Sequence, residues 1–144
     1  MIEKIYSKIE EDKLLHLVFR LPKKIECPTR EDLIDANNFL QCSFLSLPKN
    51  KTFRAHKHIT KHITYENQIA QESWVVLRGS VRCKFYDLDD TIISMPILKE
   101  GDASFTLYGG HNYEILEDDT IVYEYKTGPY LGIELDKEII GDKK

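Results

Sequence analysis

The chain has few cysteines and no long apolar segment, and these two shortages exclude several classes of protein. Its three cysteines, Cys27, Cys42 and Cys83, are an odd number and lack the paired spacing of a metal knuckle. We therefore expect reduced thiols and a cytoplasmic location instead of a disulfide-stapled, secreted domain. No apolar run approaches the roughly 18 residues that a membrane span needs. The N-terminus also lacks the basic start and apolar centre of a signal peptide, so we expect none.

An excess of basic residues is also missing. The 20 Lys and Arg are outnumbered by 24 Asp and Glu, which gives a net charge of −4. Binding to nucleic-acid phosphates needs a concentrated basic face. We therefore expect no nucleic acid as partner and, with no long apolar run, no membrane. A composition with 42% hydrophobic and 31% charged residues, over 144 residues, is typical of one globular domain.

Short strands separated by turns predict a mainly β protein. Runs rich in β-branched and aromatic residues recur at roughly 8–12-residue spacing, which is typical of a sandwich or barrel. The predicted strands are 14–20, 39–47, 74–77, 81–86, 91–95, a run ending at 98, 103–108, 113–116 and 120–126.

The N-terminal part reads differently from the rest of the chain. Thr29 followed by Asp32 resembles a capping box and predicts a short helix there. The sequence thus divides into an N-terminal extension of strand plus short helix (1–39), a β domain (40–135) and a C-terminal tail (136–144).

Two histidines have a spacing that suits metal binding. His56 and His58 stand two residues apart, so in an extended segment both imidazoles point to the same face. Two ligands of one ion need that arrangement. Taken alone, however, the pair is more often two ordinary surface or core histidines.

The residues around this pair resemble the two-part signature of the cupin superfamily. The matching positions, in order, are His56, His58, Glu72, Gly79, Gly101 and His111. The spacing departs from the family pattern, because thirteen residues separate His58 from Glu72 instead of three or four. Glu66 therefore competes with Glu72 as the acidic ligand, and we favour Glu72 because its spacing to Gly79 is kept. The run from Gly109 to His111 and the later residues 124–130 are similar to small bacterial metal cupins, some of which accompany genes for surface-polysaccharide synthesis.

The resemblance implies a fold, a cofactor and a function. The fold would be a double-stranded β-helix (jelly-roll) barrel with a short N-terminal α/β extension, in a homodimer. A divalent transition metal (Zn, Fe, Mn or Ni) would be held by His56, His58, Glu72 and His111. The protein would act on or bind a small-molecule ligand such as a sugar or nucleotide sugar, as an isomerase or epimerase of cell-surface polysaccharide metabolism. The alternatives are a non-catalytic carbohydrate-binding or sensor protein, an iron-dependent dioxygenase and a metal-free structural cupin.

A second set of candidates lies on the predicted strand 120–126. Glu124 and Lys126 alternate with Tyr123 and Tyr125, so one pair should face the interior. If Glu124 and Lys126 do so, they are candidates for acid–base catalysis beside the metal. If the tyrosines do so, they line the pocket and the charged pair is solvated. The remaining residues of interest have structural interpretations, with Trp74 in the core, His16 packed or exposed, and His62 in a solvated loop.

Overall fold

A computed structural model describes residues 1–58 and 68–141 of the chain. The fold is mainly β with antiparallel sheets, as the sequence predicts. The strands are β1 Ile2–Tyr6, β2 Leu14–Phe19, β3 Thr29–Asp32, β4 Ser43–Ser46, β5 Glu72–Arg78, β6 Ser80–Tyr86, β7 Ile92–Ser94, β8 Ile97–Lys99, β9 Ala103–Thr106, β10 Gly110–Ile115 and β11 Ile121–Lys126. A single helical turn, α1 Ile133–Asp136, follows them. Within the described residues, no helix is long and apolar enough to span a membrane.

Three antiparallel sheets are formed by the described strands. The largest has the order β1-β2-β9-β5-β11. In the second, β6 pairs with β10, β7 and β8, and in the third, β3 and β4 form a two-stranded ribbon. Because β9 and β2 pair inside the large sheet, the N-terminal strands belong to the same sheet as the strands of the second half of the chain.

Apolar clusters cover both faces of the five-stranded sheet. One cluster joins it to the four-stranded sheet and contains Ile5, Val18, Val76, Val81, Cys83, Phe85 and Leu98. The other covers the opposite face and contains Leu17, Phe19, Leu33, Ile34, Ala103, Phe105 and Leu107, with Leu40, Cys42 and Phe44 packed against it. Strand β2 is therefore buried on both faces, which explains its nearly continuous apolar sequence.

The short helix predicted after Thr29 is wrong, because these residues form strand β3. Asp32 accepts hydrogen bonds from Arg30 within β3 and from Ser43 across the ribbon. The N–H of Leu33 then donates to the carbonyl of Cys42 and extends the pairing. A capping box needs a partner side chain that reaches back to the cap, and here Asp32 is occupied by its neighbour on β4 instead.

The open edges of the large sheet are β1 and β11. Strand β2 lies between β1 and β9 and is therefore not available for pairing with a neighbouring chain. The homodimer remains a prediction, and a dimer that joins the edges of two five-stranded sheets would use β1 or β11.

Candidate functional site

Polar side chains form a row across the five-stranded sheet. His16 on β2 is paired with Thr106 on β9. On the other side of β9, Thr106 is paired with Glu72 on β5, and Glu72 is in turn paired with Lys126 on β11. Residues two positions away lie on the same face, so a second row runs beside the first through Val18, Ser104, Trp74 and Glu124. This face carries the cluster shared with the four-stranded sheet, so both rows lie between the two sheets.

Strand β10 brings the second wall of the site. His111 and Tyr113 share one face of that strand, and the Nε2 atom of His111 lies 3.1 Å from Oε1 of Glu72. The ring of Tyr113 stacks on Trp74 with centroids 4.0 Å apart and an interplanar angle of 13°. Its hydroxyl lies 3.2 Å from Oγ of Ser104. The two sheets therefore meet at a glutamate–histidine pair beside a stacked aromatic pair.

The indole N–H of Trp74 is shared between two carboxylates. It donates to Oε1 of Glu72 and to Oε2 of Glu124, and both donor–acceptor distances are 3.2 Å. Glu124 faces Trp74 across the β5–β11 pairing, so the sheet register fixes this contact. Trp74 and His111 thus both contact Oε1 of Glu72 and together hold this oxygen in position.

The charge of Glu72 follows from its neighbours. Burial acts to raise the pKa of its carboxyl, but the hydrogen bond and charge of His111, the charge of Lys137 and the Trp74 N–H together lower it below the ordinary value. Glu72 is therefore a carboxylate at neutral pH. Within the described part of the chain, the Nδ1 atom of His111 is buried without a hydrogen-bond partner. A catalytic role is one of the explanations for an unsatisfied buried group.

These side chains line a cleft of about 650 Å³ between the sheets. That volume lies in the range of small-molecule sites. The acidic residues of its wall are Glu72, Asp87, Asp90, Glu124, Asp136 and Glu138. They outnumber the basic residues Lys126 and Lys137, so the cleft is negatively charged.

The structure brings together some of the sequence-predicted site residues. Glu72 and His111 are in contact, and Glu124 and Lys126 line the same cleft. Tyr123 and Tyr125 point away from it and are each 55% exposed. Of the arrangements considered for this strand, the one with Glu124 and Lys126 toward the site is the one observed.

The other two predicted metal ligands lie elsewhere. His56 and His58 are exposed, with ring centroids 5.5 Å apart, and neither lines the cleft. Among residues 1–58 and 68–141, no three His, Cys, Asp or Glu side chains are grouped closely enough to hold an ion. The competing acid Glu66, like His62, lies outside the described residues. The four predicted ligands thus do not fit a common metal ion as placed here, and the chemistry is derived from Glu72 and His111.

Three contributors to the site were missed or interpreted as structural. Tyr113 begins the predicted strand 113–116, but the observed strand starts earlier, at Gly110, and so places His111 and Tyr113 on the same face. Trp74 packs against the core as expected, but it also lines the cleft. Asp136 on the tail forms an ion pair with Lys126, and nothing in the sequence indicates that pairing.

Comparison with known proteins gives no relative from which a function could be transferred. No protein family, no curated protein and no solved structure matches the chain. The function is therefore argued from the cleft and its side chains.

Proposed function

We propose that this protein binds a small, hydroxyl-rich molecule such as a sugar in the cleft and transfers protons on it, as an isomerase or epimerase does. The observation that carries the proposal is the 3.1 Å contact between the Glu72 carboxylate and the His111 imidazole in the wall of the cleft. The two groups provide a proton acceptor and a proton donor side by side.

Such a pair suits proton transfer next to a carbonyl. In the complex the ligand carbonyl would lie between the two side chains. The carboxylate of Glu72 then accepts the proton from the carbon beside the carbonyl, and Nε2 of His111, which contacts Glu72 in the free protein, donates its proton to the carbonyl oxygen. The resulting enediol reverts by the opposite transfers, which moves the carbonyl or inverts the carbon. General acid–base catalysis of this kind contributes about 10²–10⁴ in rate.

The walls of the cleft favour an uncharged sugar. Carboxylates accept hydrogen bonds from hydroxyl groups, and aromatic rings such as those of Trp74 and Tyr113 provide apolar surface next to them. The excess of acidic residues repels phosphate. Of the two ligand classes that the cupin resemblance implies, we therefore propose the sugar over the nucleotide sugar.

The cupin assignment is part of the same proposal. A cupin jelly roll places its site between two antiparallel sheets. The apolar packing of the five-stranded sheet against the four-stranded sheet, with Glu72 and His111 between them, supports this fold. A role in cell-surface polysaccharide metabolism is proposed from the resemblance.

Hydrogen exchange into sugars tests the proposal. Neutral aldoses and ketoses would be screened for binding by ¹H–¹⁵N NMR, and those that bind would be incubated with the protein in D₂O. We expect deuterium to enter at the carbon next to the carbonyl, and Glu72→Gln and His111→Gln each to slow this at least about 100-fold. The matched control is Glu114→Gln, since Glu114 lies on β10 but pairs with Arg82 outside the cleft.

Each outcome has a defined meaning. Binding without deuterium incorporation would leave a non-catalytic carbohydrate-binding protein and contradict the catalytic part. Exchange that survives both cleft substitutions would place the chemistry elsewhere. Failure of every neutral sugar to shift the cleft resonances would overturn the proposed ligand class.

A further inference from the structure

The C-terminal segment returns to the cleft after the last strand. We name residues 133–140 the strap; it begins with α1, directly after Gly132. Five consecutive members of the strap line the cleft, namely Asp136, Lys137, Glu138, Ile139 and Ile140. The strap thus forms part of the wall in front of Glu72 and His111.

Two anchors hold the strap. Asp136 forms an ion pair of 2.9 Å with Lys126, and the side chains are 11% and 20% exposed. Ile140 packs on Gly110, so closely that a Cβ atom at Gly110 would lie 2.3 Å from its Cδ1. The other members of the strap are exposed.

This attachment is weak compared with the rest of the fold. Segments with few buried apolar contacts open at a low free-energy cost. The preceding Gly132 has a φ of 105°, with no atom within 4 Å of a Cβ placed there, so the strap is joined through a residue free to reorient. A segment held at two points and joined in this way is suited to opening.

We propose that the strap is a lid whose release widens access to Glu72 and His111, whose side chains are 9% and 23% exposed while the strap is in place. In the closed position Nζ of Lys126, a residue of the cleft wall, donates a hydrogen bond to the Asp136 carboxylate. Release therefore widens the cleft and removes the carboxylate partner of Lys126, whose Nζ keeps its contact with the Tyr130 ring at 4.1 Å from the centroid. The inference concerns access, so it holds whatever ligand the cleft takes.

Chemical labelling of histidine tests the lid without a ligand. Diethyl pyrocarbonate modifies accessible imidazoles, and the rate at each histidine is measured by peptide mass spectrometry. Two variants release one anchor each. Asp136→Asn removes the charge from the ion pair, and Gly110→Ala places a methyl group against Ile140 at a residue without a positive φ. The control is Glu134→Gln, an exposed residue of α1 that does not line the cleft.

We expect the labelling rate of His111 to rise about fivefold in Asp136→Asn, as fits the loss of one weak ion pair, to rise also in Gly110→Ala, and to stay unchanged in Glu134→Gln. The exposed His56 and His58 calibrate the reagent, and the buried His16 reports unfolding. Unchanged His111 rates in Asp136→Asn and Gly110→Ala would overturn the lid. If His16 labelling also rises in a variant, Ile140→Ala replaces it, because this change removes the apolar anchor from the strap side. An unchanged His111 rate in Ile140→Ala again contradicts the proposal. No sugar is used, so this result is independent of the proposed catalysis.

Discussion

At the scale of single residues, the site depends on one shared donor. Trp74 supplies an N–H to the carboxylates of both Glu72 and Glu124. Two carboxylates brought together repel each other, and a donor between them offsets that repulsion. The same ring stacks on Tyr113, so the indole combines packing with the positioning of Glu72.

Replacing this indole tests its positioning role. Trp74→Phe keeps an aromatic ring against Tyr113 but removes the N–H. We expect the pKa of Glu72 to rise, because one of the hydrogen bonds that lower it is lost. The measurement is a ¹³C NMR titration of the Glu72 carboxyl in both proteins, with Glu114 as internal reference. An unchanged Glu72 titration would show that His111 and Lys137 keep its pKa low without the indole.

His16 belongs to the same polar row but has a structural role. It is fully buried, stacks on Phe85 with centroids 4.3 Å apart, and donates from Nε2 to the carbonyl of Tyr86. Nδ1 accepts from the hydroxyl of Thr106. Burial lowers its pKa from 6.5 to about 4, against the opposing effect of the Tyr86 hydrogen bond. The charges that face it are those of His111, which lowers the pKa further, and of Asp87, which raises it.

This shift predicts a specific pH dependence of stability. Between pH 6.5 and 4 the unfolded chain binds a proton at residue 16 and the folded chain does not, so the free energy of unfolding falls as the pH is lowered. The contribution is at most about 1.4 kcal/mol per pH unit, and none of it is lost above pH 6.5. Urea unfolding at pH 7, 6 and 5 measures it. His16→Gln should be less stable at pH 7 but show a smaller slope, whereas equal slopes would contradict the assignment.

At the scale of elements, one carboxylate ties two turns together. Asp87, in the turn after β6, accepts from the Ser7 hydroxyl and the Lys8 N–H in the turn after β1. It also accepts from the N–H of Leu88. Burial acts to raise its pKa, but these three donors lower it, so the residue is a buried carboxylate with each oxygen bonded. It fixes the β1–β2 hairpin against the four-stranded sheet.

Asp87→Asn should therefore destabilise the fold. The side-chain NH₂ group of an asparagine would face a hydrogen-bond donor of Ser7 or Lys8 where the carboxylate now accepts. The loss of hydrogen bonds to a charged group costs about 2–3 kcal/mol. Urea unfolding at pH 7 measures the change. The control is Asp89→Asn, because Asp89 bonds only within its own turn, to Thr91, among the described contacts. Equal stability of the two variants would show that the link between the turns is dispensable.

The strands were more predictable than the way they pair. Strands such as β6 and β11 carry β-branched and aromatic runs between turn residues, and these local signals suffice. β1 was missed, and β3 was taken for a helix, because both are short and polar and are held by partners far along the chain. Pairing register depends on those partners too. The row from His16 to Lys126 arises from residues of four strands, and no local pattern indicates it.

At the scale of the whole molecule, the site joins distant parts of the sequence. The cupin resemblance picked Glu72 and His111, which do meet, although 38 positions separate them. The same resemblance predicts His56 and His58 as ligands of the site, but these two residues do not line the cleft. The difference is that the first two lie on strands with fixed register, whereas the histidine pair lies in an exposed segment without strand partners among the described residues.

The metal content of the protein tests whether His56 and His58 join Glu72 and His111 in one metal site. Glu72 and His111 offer two protein ligands, whereas catalytic zinc sites use three and structural sites four. From this placement we expect well below one equivalent of transition metal, by elemental analysis, in protein purified without a metal-affinity tag. Dialysis against a chelator should leave the thermal midpoint unchanged.

Finding a full equivalent of metal would contradict this prediction, and the variants of the histidine pair show whether His56 and His58 hold that metal. Analysis of His56→Ala/His58→Ala beside Lys57→Ala compares the ligands with the residue between them. A full equivalent in the parent and in Lys57→Ala, lost from the double variant, would require the exposed segment to bring both imidazoles to Glu72 and His111. The cleft would then hold a four-ligand ion, and proton transfer by the Glu72–His111 pair alone would be wrong.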